Sequence, residues 1–152
     1  MEITDENAVK FVVKKREIFM REKVPILKNF IDNTSILGLD ILDELIEDDE
    51  TEIALSLIDN FLRETPQQLR QLKQAIAHED NKNVDVVAHA LKSTCRIFGI
   101  HKMSSICREL ELAGMSNKLD NAFEKFIELE NDYAHVKGIL ENVRTMILTN
   151  SS

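Results

Sequence analysis

Residues 119–148 read LDNAFEKFIELENDYAHVKGILENVRTMIL, and the apolar residues of this stretch recur with a period of seven. Two such series lie side by side and form one apolar seam: Leu119, Phe126, Tyr133, Leu140 and Ile147, with Ala122, Leu129, Val136 and Val143. A seam of this kind is typical of a helix packed lengthwise in an antiparallel bundle. It can also drive a coiled-coil dimer, but several amphipathic segments precede it and favour a bundle within one chain.

The preceding segments predict further helices. Leu37 opens a short helix that ends near Glu47, and Asp49 resembles a capping residue for the next one, with Glu52 three residues later. Pro66 is typical of a first helical position, so the stretch down to Ile76 is either one helix kinked at Pro66 or two helices in series.

Two shorter helices are predicted before the seam. The first runs from about Val84 to Phe98 and the second from Lys102 to Ala113, and we expect Gly99 and Gly114 to stop them. Ser116 is a candidate cap for the last helix, which should end near Leu148. The fold class is therefore all-α, an antiparallel four-helix bundle with an additional N-terminal helix or helices.

Length, net charge and residue content exclude several classes of protein. The 152 residues suit one domain, and only four Gly and two Pro favour long helices. A net charge of −8 argues against nucleic-acid binding. We find no apolar stretch long enough for a membrane span and no secretion signal, and Cys95 and Cys107 are too few for a disulfide framework. A cytoplasmic protein is the expectation.

Residues 1–35 differ from the rest of the chain. They contain seven basic and six acidic residues, whereas residues 36–152 have a net charge of −9. We therefore predict an N-terminal helical extension over 1–35, divided at Pro25, and a bundle over 36–152. The extension's apolar residues could pack on the bundle or on a second copy, giving a monomer or weak dimer; an anionic membrane surface is a further alternative.

The segment 84–98 carries the functional argument. Its apolar residues form one regular stripe: Val84, Val87, Ala88, Leu91, Cys95 and Phe98. His89 projects roughly 160° from the centre of that stripe, which predicts an exposed imidazole. Asp85, Lys92, Ser93 and Arg96 are its helical neighbours.

This arrangement suits phosphorylation of the imidazole. An exposed imidazole is in large part neutral at cytoplasmic pH and can act as a nucleophile. Lys92 and Arg96 could balance the charge of phosphoryl oxygens. Val86, Ala90 and Ser93 are small enough for another protein to approach closely.

Three segments resemble the histidine phosphotransfer (HPt) family. Residues 88–100, AHALKSTCRIFGI, are similar to its A-H-x-L-K-G/S-S-x-x-x-x-G pattern. Residues 107–114, CRELELAG, resemble its C-x-x-L-E-x-x-G segment, and residues 61–66, FLRETP, resemble its F-x-x-x-x-P helix. The resemblance covers about residues 38–148, and three segments in order are more specific than a bare H-x-x-K.

The resemblance implies a four-helix bundle with His89 as phospho-acceptor and Lys92 assisting electrostatically. A small residue at the position of Ser93 lets the partner dock in that family, where Gly is common. Asp85, Val86 and Ala90 complete the predicted docking surface. Cys95 stands where a Ser is common, and the stripe places it inward.

These features predict a phosphorelay intermediate of two-component signalling. His89 would accept a phosphoryl group from a receiver phospho-aspartate or a histidine kinase, hybrid kinases included, and pass it to another receiver. We find no Gly-rich phosphate loop and no metal-ligand spacing among the histidines. The chain is thus expected to lack an ATP site, intrinsic cofactors and independent turnover, with Mg²⁺ bound by the partner receiver. The alternative is a non-catalytic helical interaction or dimerisation module.

Overall fold

The computed structural model describes residues 40–150, which contain five α-helices and no β-strand. The helices are α1 (Asp40–Glu47), α2 (Thr51–Ala77), α3 (Asn81–Ile97), α4 (His101–Met115) and α5 (Ala122–Asn150). Contacts join α2 to α3, α3 to α4, α4 to α5 and α5 to α2, which closes a four-helix bundle, and α1 packs on α2. The all-α prediction is confirmed. The predicted extension, 1–35, lies outside the described residues.

The seam of α5 forms one side of the core. All of its predicted members from Ala122 to Ile147 are buried, and Leu119, which precedes the helix, is partly buried. Phe61 of α2 contacts two aromatic rings from other parts of the core. Its ring lies 5.1 Å from that of Phe98, edge to face, and 6.0 Å from that of Tyr133 in α5. No helix within 40–150 has the length and hydropathy that crossing a membrane requires.

The structure decides between the alternatives at Pro66, which lies inside a single 27-residue helix, α2. It corrects the prediction that Asp49 caps this helix. Asp49 adopts a φ of 59° in the turn after α1, and Glu50, which precedes α2, makes no side-chain capping bond. Asp49 belongs instead to the C-terminal turn of α1, where its backbone N–H donates to the Ile46 carbonyl at 3.1 Å and that of Glu50 donates to the Leu45 carbonyl at 2.7 Å.

Helix α3 begins three residues earlier than predicted because Asp80 caps it. The Asp80 carboxylate accepts a hydrogen bond from the backbone N–H of Asn83 at 3.2 Å. The predicted stop at Gly99 is confirmed: its φ of 68° is a conformation that glycine adopts without a Cβ penalty.

The predicted roles of Gly114 and Ser116 are wrong. Gly114 lies inside α4, where a Cβ would come within 2.6 Å of the Asn81 carbonyl oxygen and 2.7 Å of the Asp85 nitrogen. Its function is close approach between α4 and α3, not helix termination. Ser116 follows α4, and its hydroxyl donates to the Leu112 carbonyl at 2.7 Å instead of capping α5.

Gly114→Ala should therefore destabilise the bundle by ~1–3 kcal/mol, since both contacted atoms belong to the α3 backbone and the helices must separate. Gly138→Ala is the matched control in α5, because an added Cβ there meets nothing within 4 Å. We expect this control to be neutral or stabilising by up to ~1 kcal/mol. Urea denaturation of both variants checks the contrast, and equal free energies of unfolding would contradict it.

Candidate functional site

His89 stands on the outer surface of α3. Its side chain is 61% exposed, while its helical neighbours Ala88 and Leu91 are fully buried. The hydroxyl of Ser93 donates to the His89 carbonyl at 3.1 Å, which occupies that hydroxyl within the helix. The exposure predicted from the apolar stripe is thus found in the structure.

A carboxylate from the neighbouring helix connects His89 to Lys92. Glu111 of α4 lies with one oxygen 2.8 Å from His89 Nδ1 and the other 2.5 Å from Lys92 Nζ. The two charged side chains are largely withdrawn from solvent, with Glu111 14% and Lys92 10% exposed. His89, Glu111 and Lys92 therefore form one hydrogen-bonded chain across the α3–α4 interface.

The position of Lys92 corrects the sequence interpretation, which placed it on the open face beside the imidazole. Lys92 follows Ala88 by four residues and precedes Cys95 by three, so it flanks the buried stripe. Its aliphatic stem is covered by the interface and its ammonium ends on Glu111. Arg96, by contrast, is exposed on the surface of α3.

The ionisation of Glu111 fixes the hydrogen-bonding role of His89. The hydrogen bond from Lys92 lowers the pKa of Glu111 and that from His89 lowers it further, while burial opposes both. Glu111 is therefore a carboxylate at neutral pH and can only accept hydrogen bonds. The short contact requires a proton on Nδ1 of His89, so the lone pair of the neutral ring is on Nε2.

The fold places Glu111 within reach through Gly114, one helical turn further along α4. The missing Cβ of Gly114 lets α4 lie against the α3 backbone at Asp85, one turn before His89. Sequence reasoning named no role for Glu111, although this residue occupies the E position of the C-x-x-L-E-x-x-G pattern that residues 107–114 resemble. Its partners are 19 and 22 residues away, beyond any helical pattern.

The two cysteines lie in the core below this chain of side chains. Cys95 and Cys107 are both fully buried, as the stripes predicted. A hydrogen bond with Cys95, together with burial, raises the pKa of the Cys107 thiol far above its usual range. A protonated, inaccessible thiol is a poor nucleophile.

The surface around His89 offers apolar area for a partner. Of the predicted docking residues, Val86, Ala90 and Ser93 are exposed and Asp85 is half-buried. Sequence reasoning did not single out Leu112 and Met115, which are exposed on α4 beyond Glu111. Within residues 40–150, no cluster of His, Cys, Asp or Glu could hold a metal ion.

The chain resembles known proteins both in sequence and in fold. The sequence model of the family described as Hpt domain matches residues 56–144. Multistep phosphorelay regulator 1 of Schizosaccharomyces pombe is 24% identical over 97 residues, a match that covers 62% of this chain but only 33% of that relative. The fold is similar to the crystal structure of histidine-containing phosphotransfer protein B (HptB) from Pseudomonas aeruginosa. The TM-score is 0.68 at 25% identity, over 74% of this chain and 96% of that one.

Replacing Glu111 should lower the stability of the folded protein by an amount that depends on pH. Because the pKa of Glu111 is lowered in the folded protein, its contribution is complete above the usual carboxyl range and is lost as the pH falls through the folded-state pKa. Glu111→Gln should cost ~1 kcal/mol at neutral pH, and the difference from the unchanged protein should vanish in acid.

Thermal unfolding as a function of pH measures this effect. Glu109→Gln is the matched control, since Glu109 is 55% exposed and pairs with Lys125 at the surface. We expect that control to change stability little at any pH. A Glu111→Gln deficit that is independent of pH would show that the carboxylate charge contributes nothing.

Proposed function

The chain belongs to the Hpt-domain family, and on this premise we propose that it is a phosphorelay intermediate that carries a phosphoryl group on Nε2 of His89. The observation that carries the proposal is the hydrogen bond between His89 Nδ1 and Glu111, 2.8 Å long. It directs the lone pair of an exposed imidazole to the outward nitrogen. Many exposed histidines lack such a partner and have no preferred nucleophilic nitrogen.

The transfer step follows from this tautomer. The Nε2 lone pair attacks the phosphorus of a receiver's phospho-aspartate, the N–P bond forms, and the P–O bond breaks with its electron pair on the departing carboxylate. The ring keeps its proton on Nδ1 and gains a positive charge, which the Glu111 carboxylate stabilises. Transfer to a second receiver reverses these changes. A histidine kinase is an alternative donor.

In this proposal Lys92 and Arg96 have different electrostatic roles. Lys92 keeps Glu111 ionised and in position, so its effect on His89 passes through that carboxylate. Arg96 is exposed two turns along the same side of α3, which supports assigning it the contact with phosphoryl oxygens. This assignment replaces the direct role that the sequence suggested for Lys92.

A receiver is the partner that fits the surface. A convex helix face leaves Nε2 open to in-line approach from outside, as a donor with its own Mg²⁺ requires. Val86, Ala90 and Ser93 present little bulk beside His89, and Leu112 and Met115 add apolar contact area from α4. The receiver would supply the metal and most of the chemistry, and this protein would act as a carrier without turnover of its own.

Incubation with a phosphorylated receiver domain tests the proposal. The full chain should acquire a phosphoryl label that is lost in acid and stable in alkali, as a phosphoramidate requires. His89→Gln should remove the label while changing stability by no more than about 0.5 kcal/mol, because the side chain is exposed. Replacement of another exposed histidine, His135→Gln, is the matched control and should leave labelling intact. Full labelling of His89→Gln would refute the proposal and favour a purely structural interaction module.

Alanine substitutions separate the roles of the two cations. Arg96→Ala should slow transfer at saturating receiver and leave stability within about 0.5 kcal/mol. Lys92→Ala should slow transfer and also cost ~1–3 kcal/mol, because it leaves a largely buried carboxylate without its ammonium. The double variant should transfer more slowly than either single one. Rapid-quench kinetics and urea denaturation provide the two readouts, and weakened receiver binding with an unchanged transfer rate would contradict these roles.

A further inference from the structure

A second apolar surface lies at the start of α5. Phe123 and Ile127 are one helical turn apart, and their side chains are 52% and 43% exposed. Phe123 stacks on the buried Phe126 at a ring distance of 6.4 Å, which holds it in place on the helix. The two adjacent side chains together form one apolar patch on the surface of α5.

Acidic residues surround this pair. Residues 122–131 contain three acidic residues and one basic residue, a net charge of −2, and the following Asp132 is buried and pairs with Lys102 at 3.2 Å. The single cation, Lys125, is turned towards α4, where it pairs with Glu109 at 3.2 Å as well as with Glu128 at 3.4 Å. Glu124 and Glu130 are exposed on the same turns as Phe123 and Ile127. The surface therefore suits a partner that is both apolar and basic.

Residues 9–23 of the same chain have that chemistry. They read VKFVVKKREIFMREK and contain six basic and two acidic residues, a net charge of +4 in a protein whose total is −8. The apolar residues among these charges are Val9, Phe11, Val12, Val13, Ile18, Phe19 and Met20. A second copy of α5 would instead bring −2 against −2, and this repulsion argues against a symmetric contact between two such surfaces.

The length of the chain permits the contact. Helix α1 packs on α2, whose early turns lie beside the end of α5, where Asp59 contacts Arg144. From Arg144 back to Phe123 is about 32 Å at the helical rise. Residue 16 precedes Asp40 by 24 positions, which span about 36 Å even if the chain were helical throughout. This reach exceeds the distance of about 32 Å along α5, so residue 16 can lie beside Phe123.

We propose that residues 9–23 dock on the α5 surface formed by Phe123 and Ile127, with their basic side chains against Glu124 and Glu130. This surface lies on α5, whereas His89 lies at the α3–α4 interface, so the proposal is independent of phosphotransfer. The docked segment would cover the exposed apolar pair and offset part of the acidic charge of the bundle.

Limited trypsin digestion of the full chain tests this contact, because docking protects the cleavage sites at Lys14, Lys15 and Arg16. Phe123→Glu should raise the initial cleavage rate at these sites about tenfold, the change that a loss of ~1.4 kcal/mol produces. Raising the salt concentration should accelerate cleavage of the unchanged protein, since screening weakens the charge contact.

Ile97→Glu is the matched control, because Ile97 is 58% exposed on α3 and lies outside the proposed surface. It should leave the cleavage rate unchanged, and thermal melts should show that both variants remain folded. Equal cleavage rates for Phe123→Glu and the unchanged protein would overturn the proposal. It would equally be overturned if light scattering showed a dimer that Phe123→Glu dissociates without altering cleavage, because a second copy would then be the occupant.

Discussion

The close contact between α3 and α4 is the constraint on which the site depends. Only a glycine at position 114 allows α4 to lie against the α3 backbone at Asn81 and Asp85. That approach brings Glu111 to His89 and Lys92, one turn away from the contact. The packing of two helices thus sets the hydrogen bonding of an exposed side chain.

The paired and largely buried Lys92 and Glu111 give the imidazole a fixed electrostatic environment. An exposed ion pair is screened by water and salt and holds its geometry weakly, whereas a pair that is about nine-tenths covered keeps both position and charge. The buried Cys95 and Cys107 fill the core beneath it. The site therefore combines a rigid, covered ion pair with an exposed imidazole.

Two of the exposed apolar sites on the bundle have different surroundings. Val86 lies on α3 one turn before His89, and Leu112 and Met115 lie on α4 beyond Glu111. The α5 surface joins Phe123 with Ile127 among carboxylates. Charge therefore distinguishes partners for surfaces of similar hydrophobicity, and the chain's single strongly basic segment matches the acidic one.

The sequence by itself determined the helical architecture, because a seven-residue seam and a stripe over 84–98 depend only on local geometry. It also determined that His89 is exposed and that both cysteines are buried. Only the tertiary structure decided that Pro66 lies within one helix, that Gly114 is a contact point and that Lys92 is covered. It alone identified Glu111 as the partner of His89. The contacts of Gly114, Lys92 and Glu111 depend on residues from different helices meeting in space, and helical periodicity carries no information about which helix lies opposite or in what register.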